Sequence, residues 1–155
     1  MATMVERWLE LADLLLEDYP GSWAMRRRAV SSAYYAVFHK IALLCADEIA
    51  TDHERDSPEY QIIYRSLEHA AIRGALTKGP LAENQRLRKI GESFALLQDE
   101  RVKADYMPPV TNVVERSKAR ELLAEAKLVV SELEALEPVL RQSLVVRLLI
   151  KDPKR

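Results

Sequence analysis

The sequence predicts an all-α protein, on three observations. Glycine and proline are scarce, four and seven in 155 residues, so long stretches lack the residues that interrupt helices. Those stretches are rich in Leu, Ala, Glu, Lys and Arg, which lose little freedom on entering a helix. Their apolar members recur at three- and four-residue steps, which places them on one helix face. With 48% hydrophobic and 30% charged residues the composition is that of a globular protein, and the length suits one domain around one sizeable core.

Val5, Trp8, Leu9, Ala12, Leu15, Leu16 and Tyr19 mark a first helix that Pro20-Gly21 ends. Ser22 is the N-cap expected for a long second helix. There Val30, Tyr34, Val37, Ile41 and Leu44 form one stripe, widened by Ala33, Phe38, Cys45 and Ile49, and this helix is expected to be the central, most buried one. A charged loop, Asp52 to Asp56, precedes Ser57-Pro58-Glu59, a helix start with proline in the first turn. Tyr60, Ile63, Tyr64, Leu67, Ala70 and Ala71 predict one third helix, closed by Gly74 and the turn at Lys78-Gly79-Pro80.

A fourth helix carries Leu87, Ile90, Phe94 and Leu97 on one face and stops by Met107, before Pro108-Pro109. A fifth runs from about Asn112, with Leu122, Ala126, Val129, Leu133 and Leu136 at heptad-like spacing, and Pro138 kinks or ends it. The expected division is 1–137 as the bundle and 138–155 as an apolar tail. That tail, with Leu144, Val145, Val146, Leu148, Leu149 and Ile150, is expected to be covered either by the bundle or by a partner.

The net charge of −1 excludes a globally basic surface, so contact with nucleic acid must fall to a local patch. The single cysteine, Cys45, has no partner for an internal disulfide. There is no charged-then-apolar leader and no run of about 18 apolar residues. A cytoplasmic protein with no membrane segment is the expectation. HExxH, paired CxxC, Walker and GxGxxG motifs are all missing, so no cofactor and no metal are expected.

Three groups of residues stand out as candidates. Continuing the fourth stripe through 97 places Arg101 at the next core-facing position, where an unpaired guanidinium is costly. Asp105, one turn on, is its neutralising partner, and Tyr106 follows at once. Arg101, Asp105 and Tyr106 are therefore either a salt-bridged helix end or a cleft-lining set for phosphate, to which the planar guanidinium fork is suited. Arg26-Arg27-Arg28 sits in the first turns of the second helix, where the helix dipole repels cations. Solvation or pairing with Asp13, Glu17 and Asp18 answers this, and so does a phosphate or nucleotide. Arg65, His69 and Arg73, one turn apart, make either an exposed face or a phosphate-contacting ridge. His39 reads as a core or interface residue and His53 as solvated.

The run Arg28-Ala29-Val30-Ser31-Ser32-Ala33-Tyr34-Tyr35-Ala36-Val37-Phe38-His39 resembles the second-helix signature of small prokaryotic HEPN proteins. Glu68-His69-Ala70-Ala71-Ile72-Arg73 is similar to their weaker third-helix pattern, and Arg101-Val102-Lys103-Ala104-Asp105-Tyr106 to their Arg-x-x-Ala-Asp-Tyr end of helix four. The resemblance spans about residues 5 to 137. It implies an up-and-down bundle of four to five helices, a homodimer with the fourth-helix arginines facing a shared cleft, and a link to RNA or nucleotides. Members include metal-independent ribonucleases of toxin–antitoxin and antiviral defence systems, often beside a nucleotidyltransferase, and also noncatalytic proteins. Catalytic members carry Arg, four to six residues, then His. Here Arg65 and His69 stand only three residues apart and no histidine follows Arg101 in range. The resemblance therefore implies an RNA- or nucleotide-binding subunit acting with a partner, in preference to an active endoribonuclease. In a ribonuclease, Arg101 would stabilise the scissile phosphate and Tyr106, or a histidine from elsewhere, would position the 2′-hydroxyl. A purely structural dimerisation module docking through the tail is the third reading.

Overall fold

The computed structural model describes residues 2–109 and 114–153. Among these it is all-helical, with seven α-helices and no strand: α1 (Met4–Asp18), α2 (Trp23–Ile49), α3 (Pro58–Arg65), α4 (His69–Lys78), α5 (Gln85–Tyr106), α6 (Arg116–Glu134) and α7 (Pro138–Leu149), with a 3₁₀ turn at Pro80–Glu83. The proposed start of the fifth helix near Asn112 lies outside the described residues.

By its internal contacts the chain falls into two compact units, Met1–His39 with Ser93–Glu132, and Lys40–Glu92 with Leu133–Arg155. In the first, α1 opens with a capping box, Thr3 and Glu6 each bonding the other's backbone N–H, and turns Val5, Ala12 and Leu16 inward. Ser22 caps α2 as expected, its Oγ accepting from the Met25 N–H at 3.3 Å. The core is built from Val30, Ala33, Tyr34 and Val37 of α2, Phe94 and Leu97 of α5, and Leu122, Ala126 and Val129 of α6, all essentially without exposure. Lys127 on α6 pairs with Asp13 on α1 at 2.7 Å, and the buried Ser93 hydroxyl donates to Glu125.

The second unit buries Ile41, Ala42, Cys45 and Ala46 with Ile72, Leu76, Leu87, Ile90, Leu133, Leu144 and Val145. Burial pushes the Cys45 thiol up to about 12, so it stays protonated and serves as a small apolar side chain. Tyr60 packs on Ala46 and Ala50, and its hydroxyl donates to Asp47 at 2.7 Å. Burial and that acceptor both raise its pKa.

Several expectations are corrected. The single third helix is two, because Ser66 turns the chain. Its Oγ bonds back to the Ile62 carbonyl at 2.7 Å, its N–H to Ile63 at 3.1 Å, and Glu68 is extended at φ −111°, ψ 138°. Gly74 ends nothing, since α4 runs through it to Lys78. Pro138 neither kinks nor only ends a helix. It occupies the first turn of α7, where its missing N–H is harmless. These differences account for seven helices where four to five were expected. The apolar tail is thus mainly α7, which contacts α4 and the 3₁₀ turn and buries Leu144, Val145 and Leu148 while Val139, Val146 and Ile150 stay exposed.

An 18-residue window within the long apolar α2 reaches a mean hydropathy of 1.3, enough by length and composition to cross a membrane, and 72% of that window is buried inside the structure. Its apolarity matches its role as a core helix, the central place foreseen for it.

Candidate functional site

The stripe of α5 runs as anticipated from Leu87 through Ile90, Phe94 and Leu97, and one turn later delivers Arg101 to the first unit. Its side chain is only 11% exposed. The guanidinium carbon lies 5.0 Å from the ring centroid of Tyr34 and 5.6 Å from that of Tyr35, a cation held against two aromatic rings contributed by α2. Asp105 stands 3.8 Å from a terminal nitrogen of Arg101, with its side chain 23% exposed, too far for a direct hydrogen bond. The Asp105 carboxylate accepts from the buried Ser31 hydroxyl at 3.3 Å instead.

The consequence is an incompletely satisfied cation. Arg101 Nε is buried and has no hydrogen-bond partner, and an unmade bond of this kind costs about 1–3 kcal/mol. Removing the remaining counter-charge is expected to worsen matters. Asp105→Ala should lower the unfolding free energy by about 1–2 kcal/mol in urea titrations, less than for a sealed pair because water reaches this one. Arg101→Met, which removes the charge itself, should be near neutral in the same assay.

Tyr106 does not join this group. It is 74% exposed, because a residue one step beyond Asp105 points about a quarter-turn round the helix. Of the three residues grouped from sequence, the structure thus brings together Arg101 and Asp105, and Ser31, Tyr34 and Tyr35 of α2 adjoin them. Those three lie in the stretch already singled out by its pattern, but nothing in that pattern said which of its faces Arg101 would meet.

In the basic run at the start of α2, Arg26 and Arg27 are bonded to main-chain carbonyls and not to acidic side chains. Arg26 Nε donates to the Val114 carbonyl at 3.1 Å, and its terminal nitrogen approaches the Pro20 carbonyl at 3.4 Å. Arg27 donates to the carbonyls of Met107 and Pro108 at 2.7 and 3.0 Å, and its guanidinium carbon lies 5.4 Å from the Trp23 ring centroid. These two side chains fasten the chain just after α5 and just before α6 onto the start of α2. Neither takes Asp13, Glu17 or Asp18 as a hydrogen-bond partner; Asp13 is bonded by Lys127. Arg28 is exposed.

No family model, curated protein or solved structure matches this chain. The site is therefore read from its own geometry.

Arg65, His69 and Arg73 belong to the second unit and do not share one helix: Arg65 closes α3, where it bonds Gln61 at 2.7 Å, while His69 opens α4 with Arg73 one turn on. The continuous ridge foreseen for them is broken at Ser66. His53, in the charged loop, lies 3.7 Å from Glu59. It helps line an open depression of about 590 Å³ with Asp47, Glu54, Arg55 and Asp56, whose mixed charges and wide mouth offer no convergent set of groups.

His39, expected at the core or an interface, is a half-buried member of an aromatic group. Its ring lies 6.0 Å from Trp8, nearly parallel at 20°, and 6.3 Å from Tyr35. Trp8 in turn lies 5.9 Å from Tyr35. Trp8 lies in the apolar stripe of the first helix, and no spacing rule connects it to residue 39.

Proposed function

We propose that this chain is a HEPN-like, cytoplasmic protein that binds RNA or a nucleotide through Arg101, without strong catalysis of its own. It acts as a homodimer with a protein partner, such as a nucleotidyltransferase, in a toxin–antitoxin or antiviral defence setting. The observation that carries the reading is Arg101 itself: a guanidinium held on two tyrosine rings, whose terminal nitrogen stands 3.8 Å from its carboxylate partner and is not hydrogen-bonded to it. A phosphate oxygen is the acceptor such a fork fits best. The resemblance supports the reading, since two of its three patterns, the α2 run and the end of α5, meet at this contact. The exposed Val139 and Val146 of α7, with Ile150 just after it, support a protein partner.

The test is to incubate the protein with total RNA in the presence of a chelator, beside Arg101→Ala shown by thermal melting to be folded. RNA is expected to stay intact and to be retained on a filter by the wild type, with affinity reduced about tenfold in the variant, the loss of one charge-assisted contact. Equal retention by both proteins overturns the assignment of Arg101. Cleavage by the wild type alone replaces binding with a metal-independent endoribonuclease acting through the same residue.

A further inference from the structure

Beside Arg101, one ring further along α2, lies a group of partly exposed aromatic rings in the first unit. Tyr34 is fully buried and serves as the rear wall, 5.5 Å from Phe94. Tyr35, Trp8 and His39 are each only half-buried, and their rings lie 5.9 to 6.3 Å from one another. Trp8 and His39 are nearly parallel. Tyr35 is common to both arrangements, facing Arg101 on one hand and the Trp8–His39 pair on the other.

A cation adjoining partly open aromatic rings is the combination that grips a nucleotide without reading a base pair. The guanidinium takes the phosphate, and the rings take the face of a base. A paired base within a duplex has both faces covered by its neighbours and offers none to the protein. We propose that Trp8, Tyr35 and His39 form a stacking platform for an unpaired base whose phosphate is held by Arg101, so that the ligand class is single-stranded RNA or a free nucleotide and not duplex RNA or a bare polyanion. This rests on the reading of Arg101 as a phosphate-binding residue. It assigns to Trp8 and His39 a role in ligand choice.

The indole of Trp8 supplies its own reporter. The chain has two tryptophans, and in a Trp23→Phe background Trp8 is the single one. Three probes suffice: a short oligoadenylate, the same strand annealed to its complement, and an abasic oligomer of equal length and charge. Oligoadenylate is expected to quench Trp8 fluorescence and to bind about tenfold more tightly than the abasic oligomer, the contribution of one stacked base. The duplex should bind no better than the abasic strand. Trp8→Leu, if folded, should bind oligoadenylate only as well as the abasic oligomer, and if it does not fold the quenching series on the Trp23→Phe protein decides alone. Equal affinity for all three probes with no quenching overturns the platform while leaving Arg101 as an anion site. Failure of every probe to bind overturns the parent reading, and the platform falls with it.

Discussion

Phe94→Ala should lower the free energy of unfolding by about 3–5 kcal/mol, the cost of losing a fully buried aromatic side chain and leaving a cavity behind. Phe94 has no exposure and lies 5.5 Å from the Tyr34 ring, so the cavity opens directly behind the ring on which Arg101 rests. Urea titration should therefore report a lower midpoint at unchanged slope. If Arg101 binds RNA as proposed, retention measured at temperatures where the variant is folded should also fall, because Tyr34 gains room to retreat from the guanidinium. Phe94→Leu keeps most of the volume and should cost about 1–1.5 kcal/mol. A loss below about 1 kcal/mol for the alanine variant would mean that the α2–α5 contact closes without strain.

The second large effect is expected at Gly91, where α5 approaches α4. A Cβ there would stand 2.6 Å from the Leu76 carbonyl oxygen and 2.7 Å from the Leu76 Cβ. Neither atom belongs to the free end of a side chain, so the two helices must separate to admit a methyl group. Gly91→Ala is expected to destabilise by about 3 kcal/mol, at the upper end of overpacking costs. Gly74 is the matched control. A Cβ at that position meets nothing within 4 Å, and Gly74→Ala within α4 should stabilise by about 0.5–1 kcal/mol through helix propensity alone. Opposite signs for two glycine-to-alanine changes in one unit, read by thermal melting, distinguish a packing role from a backbone one.

Much of the helical order was legible because burial repeats with the helix. Positions 87, 90, 94 and 97 of α5, and 122, 126, 129, 133 and 136 in and just beyond α6, are all buried, and their periodicity was visible without any tertiary knowledge. The break between α3 and α4 was not legible for the same reason. Leu67 is buried in the break and keeps the apolar rhythm of a continuous helix, while the interruption comes from a serine hydroxyl that satisfies a carbonyl behind it. Position alone led to Arg101 and Asp105. Ser31, Tyr34 and Tyr35 required the fold, since they stand more than 60 residues from Arg101 in sequence, as did the distant partners of Arg26 and Arg27, which are carbonyls 80 to 88 residues away. Charge pattern pointed those two arginines toward acidic neighbours, whereas a main-chain oxygen leaves no trace in a sequence.

That choice of acceptor bears on how this region tolerates change. Arg26 and Arg27 grip Val114, Met107 and Pro108 only by their carbonyl oxygens, and every amino acid supplies one. Side chains at 107, 108 and 114 can be exchanged without removing an acceptor, provided the backbone keeps its path. The arginines have less freedom, since Arg27 serves both carbonyls from one terminal nitrogen, and a side chain without a donor of that reach leaves them unbonded. Met107 and Pro108, both exposed, are thus open to wide variation in side chain while their attachment to the start of α2 stays fixed, whereas Val114 is also held by its own burial.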